Sequence, residues 1–260
     1  MAKKYGLNPF EIAEYWNQVA DEWDKEPFVG FDEKEIEEVE QKYGITFPEY
    51  YKKYALFCGK HKINSIQDQL NDPEDIVTTY ECLEEDIEEY AEDLEDLSKE
   101  EIDELCEEND IYKLCQLPKE QWHTVTEDYV LVFCENQGVW NAGYLRSDLE
   151  QGVPNPPVYI STNDDFITFE KAAENTEEFL TSFLFMAVWC LEPSVIEDKD
   201  EALELLEEHG IDASLAEKKG VNVCLDTDTN VLYMCYVMQS GTTNLLIANE
   251  PMEDDEDEEE

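Results

Sequence analysis

The feature that most constrains the fold is the stretch 128–160, which predicts three short strands in close succession. Residues 129–134 form a run of β-branched and aromatic side chains, which is typical of a buried strand. Gly138 can take a positive φ without steric cost, so it favours a turn into a return strand at 139–145. A double proline then fixes an extended backbone into a third strand at 158–160. We therefore predict an antiparallel meander, without a catalytic constellation.

Charge is the second constraint. The chain carries 67 acidic and 17 basic residues, a formal net charge of −50, and its one arginine is Arg146. Phosphate recognition favours arginine and basic grooves, so the composition argues against a nucleic-acid binder or a phosphoryl-transfer enzyme. A strongly negative field instead attracts a basic protein and raises its association rate. Solubility and salt adaptation are two other reasons for such acidity, and the sequence leaves them open.

The cysteines and histidines do not form a metal pattern. The eight cysteines are widely spaced without a CxxC pair, and the three histidines are far apart in the sequence. This spacing predicts free, mostly buried thiols in a reducing compartment. The longest apolar run, 183–191, is nine residues long, whereas a membrane-spanning helix needs about 20. We expect a cytoplasmic protein with no membrane association, no metal and no cofactor.

Catalytic motifs are weak throughout the sequence. The Asp-x-Asp-x-Asn spacing at 226–230 is similar to a calcium loop, but Val231 and Val237 occupy the positions of the required glycine and glutamate. We therefore predict a hairpin turn there. Cys134 and His123 would need the fold to bring them together for nucleophilic catalysis, and a buried thiol is the better interpretation. Without a phosphate loop, a GxSxG elbow or an HExxH motif, we expect no enzyme.

Helix signals dominate the first 60 residues. Asn8 followed by proline predicts a helix start, with Trp16 and Trp23 on its apolar side. Asp32, with a glutamate three residues later, predicts a capping box, and Gly44 predicts the end of that second helix.

Three motifs then follow in a characteristic order. The first is an acid at a helix end, a Gly-Ile-x-Phe-Pro turn, a tyrosine-bearing helix and a closing glycine: Glu40, Gly44, Pro48, Tyr51 and Gly59. The second is a strand-turn-strand signature: Glu135, Asn136, Gln137, Gly138, Pro157 and Tyr159. The third is a helix at 176–191 with a Phe-Leu pair. From about residue 32 to residue 191 the chain thus resembles the SUKH superfamily, which includes a fungal regulator of cell-wall synthesis and bacterial toxin-immunity proteins. Asn155 stands where the usual form of the motif has aspartate.

The resemblance implies an α+β fold in which a central, mainly antiparallel sheet packs with several helices. We expect residues 1–249 to form one such domain, with an acidic helical insertion at about 81–117 and a disordered acidic tail at 250–260. We expect the motif residues to be structural, with the side chains of Glu135, Asn136 and Gln137 bonding the turn backbone.

The acidic insertion provides the candidate contacts for a partner. Leu83, Ile87 and Tyr90 recur at helical spacing, which predicts an amphipathic helix with an acidic outer side. The candidate carboxylates on that side are Glu84, Glu85, Glu88, Glu89, Asp93 and Asp96. A merely solvated helix face is the alternative. Trp140 and Tyr144 are candidate aromatic anchors, for which core packing is at least as well supported.

Together these observations favour a SUKH-like immunity or inhibitor protein. It would bind and neutralise a basic toxin domain, expected to be a nuclease, by charge and shape complementarity. The resemblance implies immunity, whereas the net charge indicates the sign of the partner's charge. The alternative is a regulatory scaffold of the fungal type that recruits a cellular partner. A salt-dependent interaction with one basic toxin would distinguish the inhibitor from a scaffold with several partners.

Overall fold

The computed structural model of the chain describes residues 2–94, 97–161, 167–238, 240 and 242–249. The predicted acidic tail, 250–260, lies outside the described residues. The strands are β1 (Lys3–Tyr5), β2 (Asp68–Leu70), β3 (Val77–Thr78), β4 (Tyr129–Glu135), β5 (Asn141–Leu145), β6 (Val158–Ser161), β7 (Phe169–Ala173), β8 (Ser194–Ile196), β9 (Gly220–Asp226), β10 (Val231–Val237) and β11 (Thr243–Ala248). The α-helices are α1 (Pro9–Val19), α2 (Glu33–Tyr43), α3 (Glu49–Cys58), α4 (Thr79–Glu92), α5 (Lys99–Glu108), α6 (Ile111–Cys115), α7 (Arg146–Glu150), α8 (Thr176–Trp189) and α9 (Lys199–Glu208).

The chain divides into two compact units. One comprises Pro27–Phe179, and the other comprises Met1–Glu26 together with Leu180–Glu260. Each unit contains an antiparallel sheet and helices, which confirms the predicted α+β class. The strands are divided between these two sheets rather than joined in a single central one. That residues 1–249 act as one domain stays a prediction.

The predicted meander lies within the sheet of the Pro27–Phe179 unit. The strand order is β2-β4-β5-β6-β7, with β3 also paired to β4, and every pairing is antiparallel. The register between β4 and β5 shifts between Leu131 and Phe133. Gly143 allows the two strands to approach there, because a Cβ at this position would lie 1.9 Å from the carbonyl oxygen of Val130.

Local sequence signals account for the helices that precede this sheet. Asp32 caps α2 through a capping box with Glu35, as predicted. Gly44 ends α2 with a φ of 67°, in the left-handed region that glycine adopts without strain. The apolar side of α3 is buried, including Tyr51 and Tyr54. The helix therefore presents an aromatic surface to the core.

Aromatic contacts hold α3 to the sheet. The Tyr51 ring lies 4.8 Å from Phe47, 6.4 Å from Phe133 and 6.1 Å from Tyr144, measured between ring centroids. The last two contacts are edge-on, a geometry that aromatic pairs favour. Phe133 also contacts Phe179, with centroids 4.7 Å apart.

The predicted acidic insertion is helical and has a small core of its own. Helix α6 packs against both α4 and α5. The buried members of this core are Leu83, Ile111, Leu114, Trp122 and Ile167. Ile87 and Tyr90, which the periodicity places inward, pack against it while partly buried.

The second sheet has the order β1-β9-β10-β11-β8. The predicted hairpin is present, because Val231 of β10 pairs with Asp226 of β9. Helix α1 begins at the predicted cap, Asn8, and buries Trp16, but it ends at Val19. The prediction that Trp23 lies on its apolar side is therefore wrong, since Trp23 follows the helix and is 94% exposed.

Within the described residues, no helix combines the length and apolar character needed to cross a membrane.

All eight cysteines are free thiols: Cys58, Cys224 and Cys235 are buried, Cys190 is exposed, and the others are half-buried. In the same part of the chain, no group of three or more histidine, cysteine or acidic side chains could hold a metal ion.

Candidate partner-binding surface

The outer side of α4 carries the carboxylates predicted to meet a partner. Glu84, Glu88, Glu89 and Asp93 are all exposed. The side chain of Glu85 and the whole of Asp96 lie outside the described residues. We call the four described carboxylates the acidic ridge. Glu84 forms an ion pair with Lys119 at 2.5 Å, in which both side chains are about half exposed.

The inner side of α4 fixes the ridge in place. Leu83 is fully buried in the core of the insertion. Tyr80 meets Trp122 edge-on, with ring centroids 5.5 Å apart, and its hydroxyl donates to the carbonyl oxygen of Thr126 at 2.9 Å. Lys119 Nζ lies 5.9 Å from the centroid of the Trp122 ring. The ridge is therefore carried by a packed helix.

The N-terminus of α4 is anchored by its capping box. Thr78 Oγ1 accepts from the Glu81 N–H at 3.2 Å, and the Glu81 carboxylate accepts from the Thr78 N–H at 3.1 Å. The Tyr43 hydroxyl also donates to Glu81 at 2.5 Å. Burial acts to raise the pKa of Glu81, but hydrogen bonds from Tyr43 and Thr78 outweigh it, so the pKa lies below its ordinary value.

Helix α5 extends the acidic surface beyond the predicted residues. Its exposed carboxylates are Glu100, Glu101, Asp103, Glu104, Glu107 and Glu108. None of its residues is fully buried, so α5 is held by partial burial against its neighbours. Composition alone could have indicated these residues, because they continue the acidic run of α4.

The two aromatic candidates occupy different environments. Tyr144 is fully buried, and its hydroxyl lies 3.0 Å from Thr176 Oγ1, which matches the core-packing alternative. Burial raises the pKa of Tyr144 above its ordinary value. Trp140 is half-buried on the turn between β4 and β5, and its carbonyl oxygen accepts from the Glu135 N–H at 3.0 Å. Only Trp140 is accessible to a partner at the surface.

The first motif builds the turn between α2 and α3. Glu40 accepts from the Phe47 N–H at 2.7 Å and from Lys52 Nζ at 3.0 Å. Pro48 then occupies the N-cap position of α3. At the other end of α3, a Cβ on Gly59 would lie 2.6 Å from the Phe31 ring, so this glycine allows close packing.

The second motif shapes the turn after β4. The Glu135 carboxylate accepts from the N–H groups of Gln137 at 2.6 Å and of Val139 at 3.4 Å. Gly138 has a φ of 76°, so the positive φ predicted for the turn is present. Asn136 bonds through its backbone to the Gln67 carbonyl oxygen at 3.3 Å, and its side chain is exposed, as is that of Gln137. Among these three, Glu135 is the one whose side chain bonds the turn.

The strand that follows continues the motif. Pro157, half-buried, immediately precedes β6. The Tyr159 ring lies 5.3 Å from Tyr129, which stacks on Phe169 with centroids 4.1 Å apart. Pro157, immediately before β6, and the ring contact of Tyr159 therefore set the position of this strand.

A groove in the same unit was not predicted from the sequence. It has a volume of about 1060 Å³, and its walls include Lys42, Lys60, Asn71 and Cys134. Asn71 bridges the break between β2 and β3: its N–H donates to the Val132 carbonyl oxygen at 3.0 Å and Nδ2 donates to that of Leu131 at 3.2 Å. Burial raises the pKa of the Cys134 thiol, so Cys134 is a poor nucleophile.

The Pro27–Phe179 unit is thus an α+β module in which the motif residues serve turns and packing, while exposed carboxylates lie along α4 and α5. The chain belongs to the SMI1 / KNR4 family (SUKH-1), whose family model matches residues 30–182. This match covers more than half of the 260 residues and confirms the resemblance. Proteins of this family bind partner proteins and are generally non-enzymatic immunity or regulatory proteins. Neither the curated proteins nor the solved structures yield a match.

Proposed function

We propose that this chain is an immunity or inhibitor protein that binds a basic toxin domain, expected to be a nuclease. The observation that carries the proposal is the acidic ridge, four exposed carboxylates on one side of a helix whose other side is anchored in a core. A partner that binds nucleic acid presents a basic groove. The ridge offers charge complementary to such a groove.

The balance of charge near the ridge supports this proposal. Lys119 is paired with Glu84, and Lys113 is paired with Asp110. Lys99 at the start of α5 is a third lysine in this region. The carboxylates of α4 and α5 outnumber these three lysines, so the insertion has a negative field. Such a field steers a basic partner and raises the association rate by about 10- to 1000-fold at low salt.

The mode of inhibition follows from this geometry. A carboxylate-bearing helix that occupies a nuclease groove takes the place of the phosphates and excludes the nucleic acid. Trp140, half-buried near the Glu135–Gly138 turn, is the accessible one of the two aromatic candidates and is proposed as a further contact with the partner.

The test is a ridge variant in which Glu84, Glu88 and Glu89 become glutamine and Asp93 becomes asparagine. A matched control changes four exposed glutamates of α9 to glutamine: Glu201, Glu204, Glu207 and Glu208. The wild type serves as bait in extracts of the source cell at low and high salt, and growth rescue is measured on co-expression with each captured protein.

We expect the wild type to capture one basic toxin and to rescue growth when co-expressed with it. In the ridge variant, the rate of association with this toxin should fall at least about tenfold at low salt. The α9 control should keep nearly the wild-type rate. Equal rates for ridge variant and wild type would place the interface elsewhere. Several neutral or acidic partners without growth rescue would instead support a regulatory scaffold.

A further inference from the structure

One tryptophan of the chain is almost wholly exposed. Trp23 is 94% exposed, more than any other exposed large apolar side chain of the described residues, and the next is Val139 at 56%. Tryptophan is ordinarily well buried, because its indole is a large apolar surface. Tryptophan is also enriched among interface hot spots. An indole left in water is therefore a candidate contact for another molecule.

The residues that carry Trp23 form a closed loop, residues 20–26, which begins where α1 ends. We call it the Trp23 loop. The Asp21 carbonyl oxygen accepts from the N–H groups of Asp24 at 2.9 Å and of Lys25 at 3.2 Å. These two hydrogen bonds fold the backbone on either side of the indole into a single turn.

The two ends of the Trp23 loop are tied together by one side chain. Asn17 Nδ2 donates to the Glu26 carbonyl oxygen at 3.0 Å, and Asn17 Oδ1 accepts from the Glu26 N–H at 3.2 Å. A loop that is already ordered loses less conformational freedom when a partner binds. The structure therefore holds the indole in water in a preorganised position.

The Trp23 loop is negatively charged. It carries one lysine, Lys25, and four carboxylates: Asp21, Glu22, Asp24 and Glu26. Asp21 and Glu22, just before the indole, are exposed and form no ion pair within the part of the chain that the structure describes. The face of an indole also attracts cations, because the ring quadrupole is negative there. The aromatic ring and the carboxylates thus favour the same kind of occupant.

The net charge of the chain limits the other occupants. At −50, two copies repel each other, and the chain likewise repels a nucleic acid or an anionic lipid surface. A neutral apolar pocket would cover the indole but would leave the adjacent carboxylates without a counter-charge. A guanidinium satisfies both, since it stacks flat on an aromatic face and donates N–H groups to carboxylates.

We propose that the Trp23 loop is a docking site for an arginine-bearing segment of a protein partner. A guanidinium of this segment stacks on the indole of Trp23, and Asp21 and Glu22 bind neighbouring cations. The site goes beyond the proposed function, because it lies in the other compact unit from the acidic ridge and needs no contact with the ridge. Stacking of the cation on the indole raises the affinity about 5- to 30-fold.

The probe is a short peptide, acetylated and amidated, in which arginine alternates with glycine. One control peptide carries citrulline, which is neutral, in place of arginine, and another carries lysine, which keeps the charge but lacks the planar group. Binding to the full chain is measured at about 0.15 M salt, where charges beyond about 8 Å are largely screened. The backbone amide resonances of Glu22 and Lys25 report on the loop and remain available when Trp23 is changed.

Two variants separate the π face from simple apolar contact. Trp23→Leu keeps an apolar side chain and removes the π face, whereas Trp23→Ala removes both. Val139→Ala is the matched control, because it shortens the next most exposed apolar side chain. Since the Trp23 side chain buries almost none of its surface, both Trp23 variants should unfold thermally like the wild type.

The arginine peptide should shift both loop resonances. Its dissociation constant should rise about fivefold or more in Trp23→Ala and in Trp23→Leu, and it should stay unchanged in Val139→Ala. The lysine peptide should bind more weakly than the arginine peptide, and the citrulline peptide should leave both resonances in place. Equal binding by Trp23→Leu and the wild type would refute the contact between guanidinium and indole. Loop resonances that do not move with the arginine peptide would refute the site itself.

A second copy of the chain as occupant would give a different result. The resonances of Glu22 and Lys25 would then broaden as the protein concentration rises without any peptide, and Trp23→Ala would remove the broadening. That outcome would overturn the proposed arginine-bearing partner. None of these outcomes changes the rate at which the acidic ridge associates with a toxin, so the proposed function stands or falls by the ridge variant alone.

Discussion

Asp68→Asn is the substitution for which the structure makes the most definite stability prediction. Asparagine is nearly the same size as aspartate but never ionises, so the change removes a buried charge and leaves the packing of β2 in place. Burial and the repulsion from Glu135, which pairs in register with Asp68, raise the pKa of Asp68 from 3.8 to about 6. The folded protein therefore binds this proton more tightly than the unfolded chain does.

The sign and size of the effect follow from this shift. The stability that the protonated Asp68 provides is fully present below about pH 4 and is lost as the pH rises through about 6. At about pH 7.5 the ionised Asp68 thus lowers the free energy of unfolding by about 3 kcal/mol, and at about pH 5 by about half as much. We expect Asp68→Asn to be more stable than the wild type by these amounts.

Urea unfolding at the two pH values, followed by tryptophan fluorescence, measures the difference. Asp103→Asn removes one exposed carboxylate from α5 and should change stability by less than about 0.5 kcal/mol at either pH. If Asp68→Asn raised the free energy of unfolding equally at both pH values, or did not raise it, the assignment of a raised pKa to Asp68 would be contradicted. The result would then show that Asp68 is hydrated or paired in solution.

Two further predictions concern the core and the domain organisation. Tyr51→Phe should stabilise the protein by about 1 kcal/mol, because the Tyr51 hydroxyl is buried without a hydrogen-bond partner among the described residues. Tyr54→Phe on the same helix is the contrast and should destabilise by a similar amount, since its hydroxyl bonds Asn64 Oδ1 at 2.9 Å; urea titrations in which the two changes had the same sign would contradict this. Calorimetry of the full chain should give one unfolding transition if residues 1–249 act as a single domain, whereas two transitions would show that the two units unfold separately.

Much of the local structure could be predicted because its causes lie within a few residues. The Asp32–Glu35 capping box and Gly44 define both ends of α2. The strand pattern around Gly138 predicted the β4–β5–β6 meander, and the spacing of Leu83 and Ile87 predicted the inward side of α4. Capping, turn formation and amphipathic periodicity each act over one or two turns of chain, so they can be read without tertiary contacts.

Burial at the element ends could not be predicted in this way. Trp23 and Trp16 share one periodic pattern, yet Trp23 is exposed because α1 ends at Val19. Tyr144 and Trp140 lie four residues apart in the sequence, but only Tyr144 points into the core formed with Tyr51. Periodicity indicates a side of an element, whereas the partner packed against that side decides which residues are covered.

The sequence by itself determined the acidity, the family and the helices and strands of the meander, since composition, motif order and capping are properties of neighbouring residues. Only the tertiary structure decided that Asp68 stands opposite Glu135. The pairing of β2 with β4 sets this register across the intervening segment that carries β3 and helices α4 to α6, and burial by surrounding elements then raises the pKa of the Asp68 carboxyl. A charge count treats all 67 acidic residues alike, whereas the fold distinguishes Asp68 by its burial beside a second carboxylate.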